Sequence, residues 1–205
     1  MILLNIIGLL KRLYDYDKDT YEHSVRTSNL AIRIAGGIRC SIDLINTIKD
    51  AALLHDIGKL NIPLSILNKC TKLTTPEMEC LRKHPIYGEE ILELNNFPES
   101  IITPVFQHHV WYNGMGYPKV AKKDLCFSAL VISIADAIDA MTHKRSYRNA
   151  LPDKGVLYEL EKGRGTQFEP ILTDICAYIL FNKTPPTEQG MNSYGKIYSI
   201  QEYMR

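Results

Sequence analysis

The stretch LCFSALVISIADAIDAM, residues 125–141, is apolar on nearly every face. A helix of that kind belongs at the centre of a domain, and the rest of the chain has to wrap around it. It carries one residue that does not belong in an apolar interior, Asp136. A carboxylate buried without a partner takes up a proton rather than keep its charge, so a metal ion is the simplest partner for an ionised Asp136. Asp139 lies three residues on, about one helical turn away, and is expected to cap or pair locally.

The remaining segments also read as helices. Apolar residues at 44, 45, 48, 51, 52 and 54 form a helical stripe, and no comparable stretch keeps the strict alternation of a half-buried strand. In TTPEMECL a threonine N-cap precedes Pro76 at the first helical position, with Glu77 in the first turn. EPILTDICAYILFN, with apolar positions 171, 172, 175, 176, 179 and 180, closes the domain. After Asn182 the pattern is lost, so residues 183–205 are expected to form a loosely packed tail. The first ten residues are apolar, but too few for a bilayer span of about 20. They also lack a basic leader and a cleavage site. Residues 1–14 therefore read as a helix packed on the domain, or a stub leading to something upstream.

At 205 residues the chain suits one domain with a real core. Its formal net charge of +1 gives no general pull toward polymeric nucleic acid or anionic lipid. Any recognition of phosphate must come from local arrangement. The five cysteines are odd in number and never paired as C-x-x-C, which argues against a disulfide framework and a zinc ribbon. They read as reduced thiols of a cytoplasmic protein.

Five of the six histidines sit in polar clusters beside turn signals: His23 in YEHS, His55 in HDIGK, His84 in KHPIYG, and His108 with His109 in QHHVWYNGMGYP. Taken alone, LLHDIGKLNIP is an ordinary helix end, with His55 and Lys59 near the last carbonyls and Gly58 as the stop. Five such histidines together with Asp56 and Asp136 outweigh that reading. Imidazole with carboxylate and no thiolate suits iron, manganese, zinc or nickel. Seven groups are more than one ion can hold, so two or more ions are expected. Metal pairs about 3.5 to 4 Å apart recur in phosphoester cleavage. Cations that are not ligands should stand nearby, and Lys59, Lys144, Arg145 and Arg148 are available; an ordinary basic helix end would also explain the last three.

The order HS, HDIGK, KHP, HH, NGMGYP, ADAIDAMT and RSYR resembles the HD-GYP family, bacterial phosphodiesterases of cyclic di-GMP within the HD superfamily. The likeness runs from about Asp15 to Phe181, implies a domain over residues 15–182, and includes Gly116-Tyr117-Pro118. It implies an all-α HD-type helical bundle with a metal centre. There His23, His55, Asp56, His84, His108, His109 and Asp136 would hold two or three divalent ions, iron or manganese, with Asp56 bridging. Asp19, four residues before His23, matches an acidic position of three-metal members. Asp17 competes for that role, and a solvated acidic turn would explain both. Lys59, Arg145 and Arg148 match positions that meet substrate phosphates, and Tyr147 and Tyr117 are candidate contacts to guanine or ribose. The implied reaction is attack by a metal-activated hydroxide on one phosphodiester, giving pGpG and then GMP, with Asp56 and Lys59 as catalytic groups. The GYP loop resembles a docking surface for diguanylate cyclase (GGDEF) domains. The sequence leaves open whether the chain dimerises.

Three positions depart from the family pattern. Val110 and Asn113 stand where a glutamate and an aspartate are usual, and Met115 replaces a serine. Loss of a carboxylate beside the paired histidines would weaken support for His108 or His109, an effect worth about 10 to 100-fold in metal affinity or activity. Two further readings follow: a catalytically weak module that binds cyclic di-GMP and signals, or an HD-superfamily hydrolase of another nucleotide. GYP and RSYR argue against the latter.

Overall fold

The computed structural model describes residues 2–143 and 149–183. Residues 144–148, which carry the expected Arg145, Tyr147 and Arg148, and the tail from 184 onward lie outside the described residues. The helices are α1 (Ile2–Tyr16), α2 (Lys18–Gly37), α3 (Ile42–Leu54), α4 (Leu64–Leu67), α5 (Thr75–Leu81), α6 (His84–Leu94), α7 (Glu99–Gln107), α8 (Phe127–Thr142), α9 (Asp153–Gly163) and α10 (Pro170–Phe181). Strands are absent among the described residues, which hold only two isolated β-bridges. The all-α expectation therefore stands.

The apolar segment forms α8, and its Val131, Ile132, Ile134, Ala135 and Ile138 are buried. Helices α2, α3, α7, α9 and α10 pack around it. Cutting a fully buried side chain such as Ile132 or Ile134 back to alanine costs about 2–5 kcal/mol, because the transfer energy is lost and a cavity remains. Helix α1 joins the same core through Ile6, Leu9 and Leu13. The Tyr16 hydroxyl at its end donates to the Ile62 carbonyl at 2.7 Å. No helix of the described residues is long and apolar enough to cross a membrane.

Two local features set how the helix ends meet. The cap of α5 is Thr74, whose hydroxyl accepts from Glu77 N while the Glu77 carboxylate accepts from Thr74 N at 2.7 Å. This reciprocal box needs a spacing of three residues, which explains why Thr74 and not Thr75 is the cap. After α3 the chain makes a single 3₁₀ turn over Ile57–Asn61. Gly58 is not a left-handed stop there. A Cβ on it would collide with the His84 carbonyl and the Gly88 amide of α6, so glycine is what lets this turn lie against α6.

Candidate metal centre

Five elements deliver the expected ligands to one place. Three of the histidines sit at helix ends and share one device. The Nδ1 of His55, just after α3, lies 2.8 Å from the Ala52 carbonyl; that of His84, at the start of α6, lies 2.8 Å from Leu81 O; that of His108, just after α7, lies 2.6 Å from Val105 O. Each acceptor is the carbonyl three residues back, freed because the helix stops there. A carbonyl can only accept, so each Nδ1 carries the proton and each Nε2 lone pair is turned inward. The ordinary helix-end interaction and the ligand geometry are thus one arrangement, using the two nitrogens of the same ring.

The inward atoms fall into two groups. His23, His55 and Asp56 bring their ligand atoms within 4.8 Å of one another, as do His84, His108 and His109. The Asp56 carboxylate stands between them. Its Oδ2 is 3.6 Å from His23 Nε2 and 3.4 Å from His55 Nε2, while its Oδ1 is 3.3 Å from His84 Nε2. Asp136 on α8 adds Oδ1 at 3.0 Å from His23 Nε2. Lys59, one turn beyond Asp56, sets its Nζ 2.6 Å from Asp56 Oδ2.

The donor set fits divalent cations. His55 Nε2 is buried with no hydrogen-bond partner. The Nε2 atoms of His84 and His108 are 3.1 Å apart, and since both rings hold their proton on Nδ1, two lone pairs face each other. A cation that both can bind accounts for both oddities. Charges are arranged to keep the ligands ready. Burial pushes the Asp56 carboxyl up, but Lys59, His55 and His84 outweigh it and hold it well below the usual carboxylate range. Burial acts likewise on Asp136, and His23 reverses it. Burial drives His84 down to about 3 and His109 to about 4, and holds His108 well below its ordinary value, so these rings are neutral. His23 moves the other way. Burial lowers it, but Asp136 and Asp139 together raise it.

His23 and Lys59 also line a cleft of about 1090 Å³, together with Asp19, Arg26, Lys69 and Lys72. Asp19 is exposed on this cleft. Asp17 is committed elsewhere, capping α2 by accepting from Thr20 N at 3.2 Å. Tyr117 stacks on His109 at 4.8 Å and lies 5.5 Å beneath the Arg82 guanidinium. Burial, followed by the Asp56 and Asp136 charges, raises its phenol, which therefore keeps its proton.

The departures from the family pattern find partners of their own. Val110 is buried in the core, and the Asn113 Oδ1 accepts from Met115 N at 3.0 Å to hold the turn. His108 rests on Val105 O and owes nothing to position 110. His109 differs. Among the described residues no side-chain hydrogen bond orients its ring, which is held by contacts with His108 at 4.1 Å and with Tyr117. Asp139 is the residue the spacing undersold. It pairs across to α2 and supports His23 with Oδ2 at 2.6 Å from Nδ1.

Comparison with known proteins agrees with this geometry. An HD domain family model matches residues 10–172. The chain is 35% identical over 176 residues to a cyclic di-GMP phosphodiesterase of Thermotoga maritima, covering 82% of this chain and 47% of that protein. It is 34% identical over 164 residues to the 3′3′-cGAMP-specific phosphodiesterase 2 of Vibrio cholerae serotype O1, covering 77% of this chain and 31% of that one. The chain thus spans half or less of the length of these curated relatives. Among solved structures, the HD domain of the L. monocytogenes phosphodiesterase PgpH in complex with cyclic-di-AMP superposes with a TM-score of 0.64 at 20% identity, over 94% of this chain and 97% of that one. The His-Asp pair at 55 and 56, gathered with His23 from within α2 and with histidines from two other helix ends, in a chain whose residues 10–172 match the HD domain model, makes this chain a member of the HD domain family.

Proposed function

We propose that the chain is a metal-dependent phosphodiesterase that opens a cyclic dinucleotide, cyclic di-GMP first among the candidates, to pGpG and then GMP. The observation that carries this reading is the Asp56 carboxylate standing between two histidine groups, with Lys59 beside it and a cleft lined by His23 and Lys59. His23, His55 and Asp136 would hold one ion, His84, His108 and His109 the other, and Asp56 would bridge. When bound, the ions supply Lewis acidity and bring the pKa of a water molecule toward neutrality. Imidazole and carboxylate donors without thiolate suit iron or manganese. Asp19, free of the cap that occupies Asp17, is the group available to a third ion.

The chain's own residues carry the remaining work. Lys59 neutralises Asp56 and meets charge developing on the phosphoryl oxygens. Tyr117, which keeps its proton, donates to ribose or base. Arg145, Arg148 and Tyr147 complete the phosphate and base contacts in this reading. The three named relatives concern cyclic di-GMP, 3′3′-cGAMP and cyclic-di-AMP, so the bases are the part of the substrate that a panel must decide. The loop carrying Trp111 and Met115, which are 39% and 54% exposed, offers an apolar surface to a diguanylate cyclase domain.

The test is anaerobic purification with metal analysis, then incubation with the three dinucleotides and chromatography, with His55→Ala in parallel. Two ions per chain, with linear product from the wild type and none from the variant, support the enzyme. The ring of His109, held by ring contacts but by no side-chain hydrogen bond among the described residues, and next to Val110, favours a second reading in which the chain binds the dinucleotide and hydrolyses it little. A metal-loaded protein that retains intact ligand would establish that alternative.

A further inference from the structure

The His23 ring is gripped on both nitrogens by one helix. Asp136 Oδ1 lies 3.0 Å from Nε2, and Asp139 Oδ2, one turn along α8, lies 2.6 Å from Nδ1. Asp139 is fully buried, and its charge is met from outside the centre. Arg26 Nε donates to Oδ1 at 2.8 Å and Nη2 to Oδ2 at 3.1 Å, while His143 Nδ1 stands 2.9 Å from Oδ1. Among the five candidate ligand histidines, the Nδ1 atoms of His55, His84 and His108 rest on neutral carbonyls, and only that of His23 rests on a carboxylate. For helix packing alone, a buried ion pair gains little over apolar side chains of similar volume. As a prop for an imidazole ligand it fixes the tautomer and the ring plane, and it makes the opposite nitrogen a stronger donor.

We infer that Asp139, held by the Arg26 fork, is the positioning residue for His23 and governs metal affinity in the His23 half of the centre alone. The inference rests on reading these two groups as metal sites. Substitution at Asp139 weakens one ion by about 10 to 100-fold and leaves the other unchanged.

The full chain, stripped of metal, is titrated anaerobically with Mn²⁺ by calorimetry and electron paramagnetic resonance. Wild type takes up two ions in resolvable phases; His23→Ala identifies one phase and His84→Ala the other. The expected result is that Asp139→Asn weakens only the phase assigned by His23→Ala, and that adding it to His23→Ala changes metal binding no further. A purely structural role would lower both phases, or would add to His23→Ala, and either result overturns the inference, as does an unchanged affinity. Should Asp139→Asn fail to fold, Arg26→Gln unties the carboxylate without removing it and is expected to weaken the same phase to a smaller extent, with Arg26→Lys restoring part of the loss. A wild-type chain that takes up no Mn²⁺ overturns the metal-centre reading itself; two intact phases with an indifferent Asp139→Asn overturn this inference only.

Discussion

The two halves of the centre solve the same problem by opposite means. The half built on His23, His55 and Asp56 is anionic: Asp136 faces one nitrogen of His23 and Asp139 the other, and the imidazole is raised above its ordinary pKa. The half built on His84, His108 and His109 is nearly all imidazole, and burial drives each ring below its ordinary value. Without metal, the His23 ring holds a proton more tightly than a free imidazole, and the rings of the second half hold one less tightly. Two ways of preparing lone pairs for a cation thus sit side by side, joined by the two oxygens of Asp56.

The sharpest way to break the comparison is to remove what the halves share. Asp56→Asn takes one carboxylate charge from both, so both ions and turnover are expected to be lost together, read by metal analysis and product chromatography. If one ion is retained in full, Asp56 does not bridge. Lys59→Met tests charge stabilisation apart from ligation: turnover is expected to fall on the order of 10²–10³-fold with metal content kept. If metal content falls in parallel, Lys59 acts through Asp56 only.

Acid separates the halves in the metal-free protein. The folded pKa of His84, about 3, lies below its unfolded value of 6.5, so the unfolded chain binds the extra proton. This contribution is complete above about pH 6.5 and is lost as pH falls toward 3. At pH 5 the loss from His84 alone is about 2 kcal/mol. His23, with its raised folded pKa, contributes stability that is present below its unfolded value and lost as pH rises through its folded value. In chelator-treated protein, His84→Gln should flatten the fall in melting temperature between pH 7 and 5, whereas His23→Gln should steepen it. Equal slopes would erase the distinction. The smallest effect belongs to a control outside both halves: Thr74→Ala, which opens the capping box of α5, is expected to cost about 1 kcal/mol of stability and leave the metal stoichiometry untouched.

Residue type and order revealed which side chains come together better than they revealed what holds them. Five histidines beside turn signals, and an aspartate in an otherwise apolar helix, are visible because such groups are costly to bury without a purpose. The central place of α8 followed from the same stretch. The props were harder to read. Whether a histidine can donate to the carbonyl three residues back depends on where its helix stops, and helix ends are poorly legible to within a residue or two; the cap at Thr74 is a small instance. Asp139 was read as a local partner because spacing along one helix says nothing of α2, which supplies both His23 and Arg26. Gly58 read as a stop because its neighbour in space, α6, lies some thirty residues downstream in the chain.

That glycine sets a distance. The turn carrying it follows directly from Asp56, and the backbone it touches belongs to His84, so the contact at Gly58 is the spacer between the two halves. A single methyl group there would act as a shim, prising His84 away from the Asp56 oxygen it faces while leaving every ligand in the sequence. The gauge between the two histidine groups is thus kept by the one side chain in HDIGK that is missing.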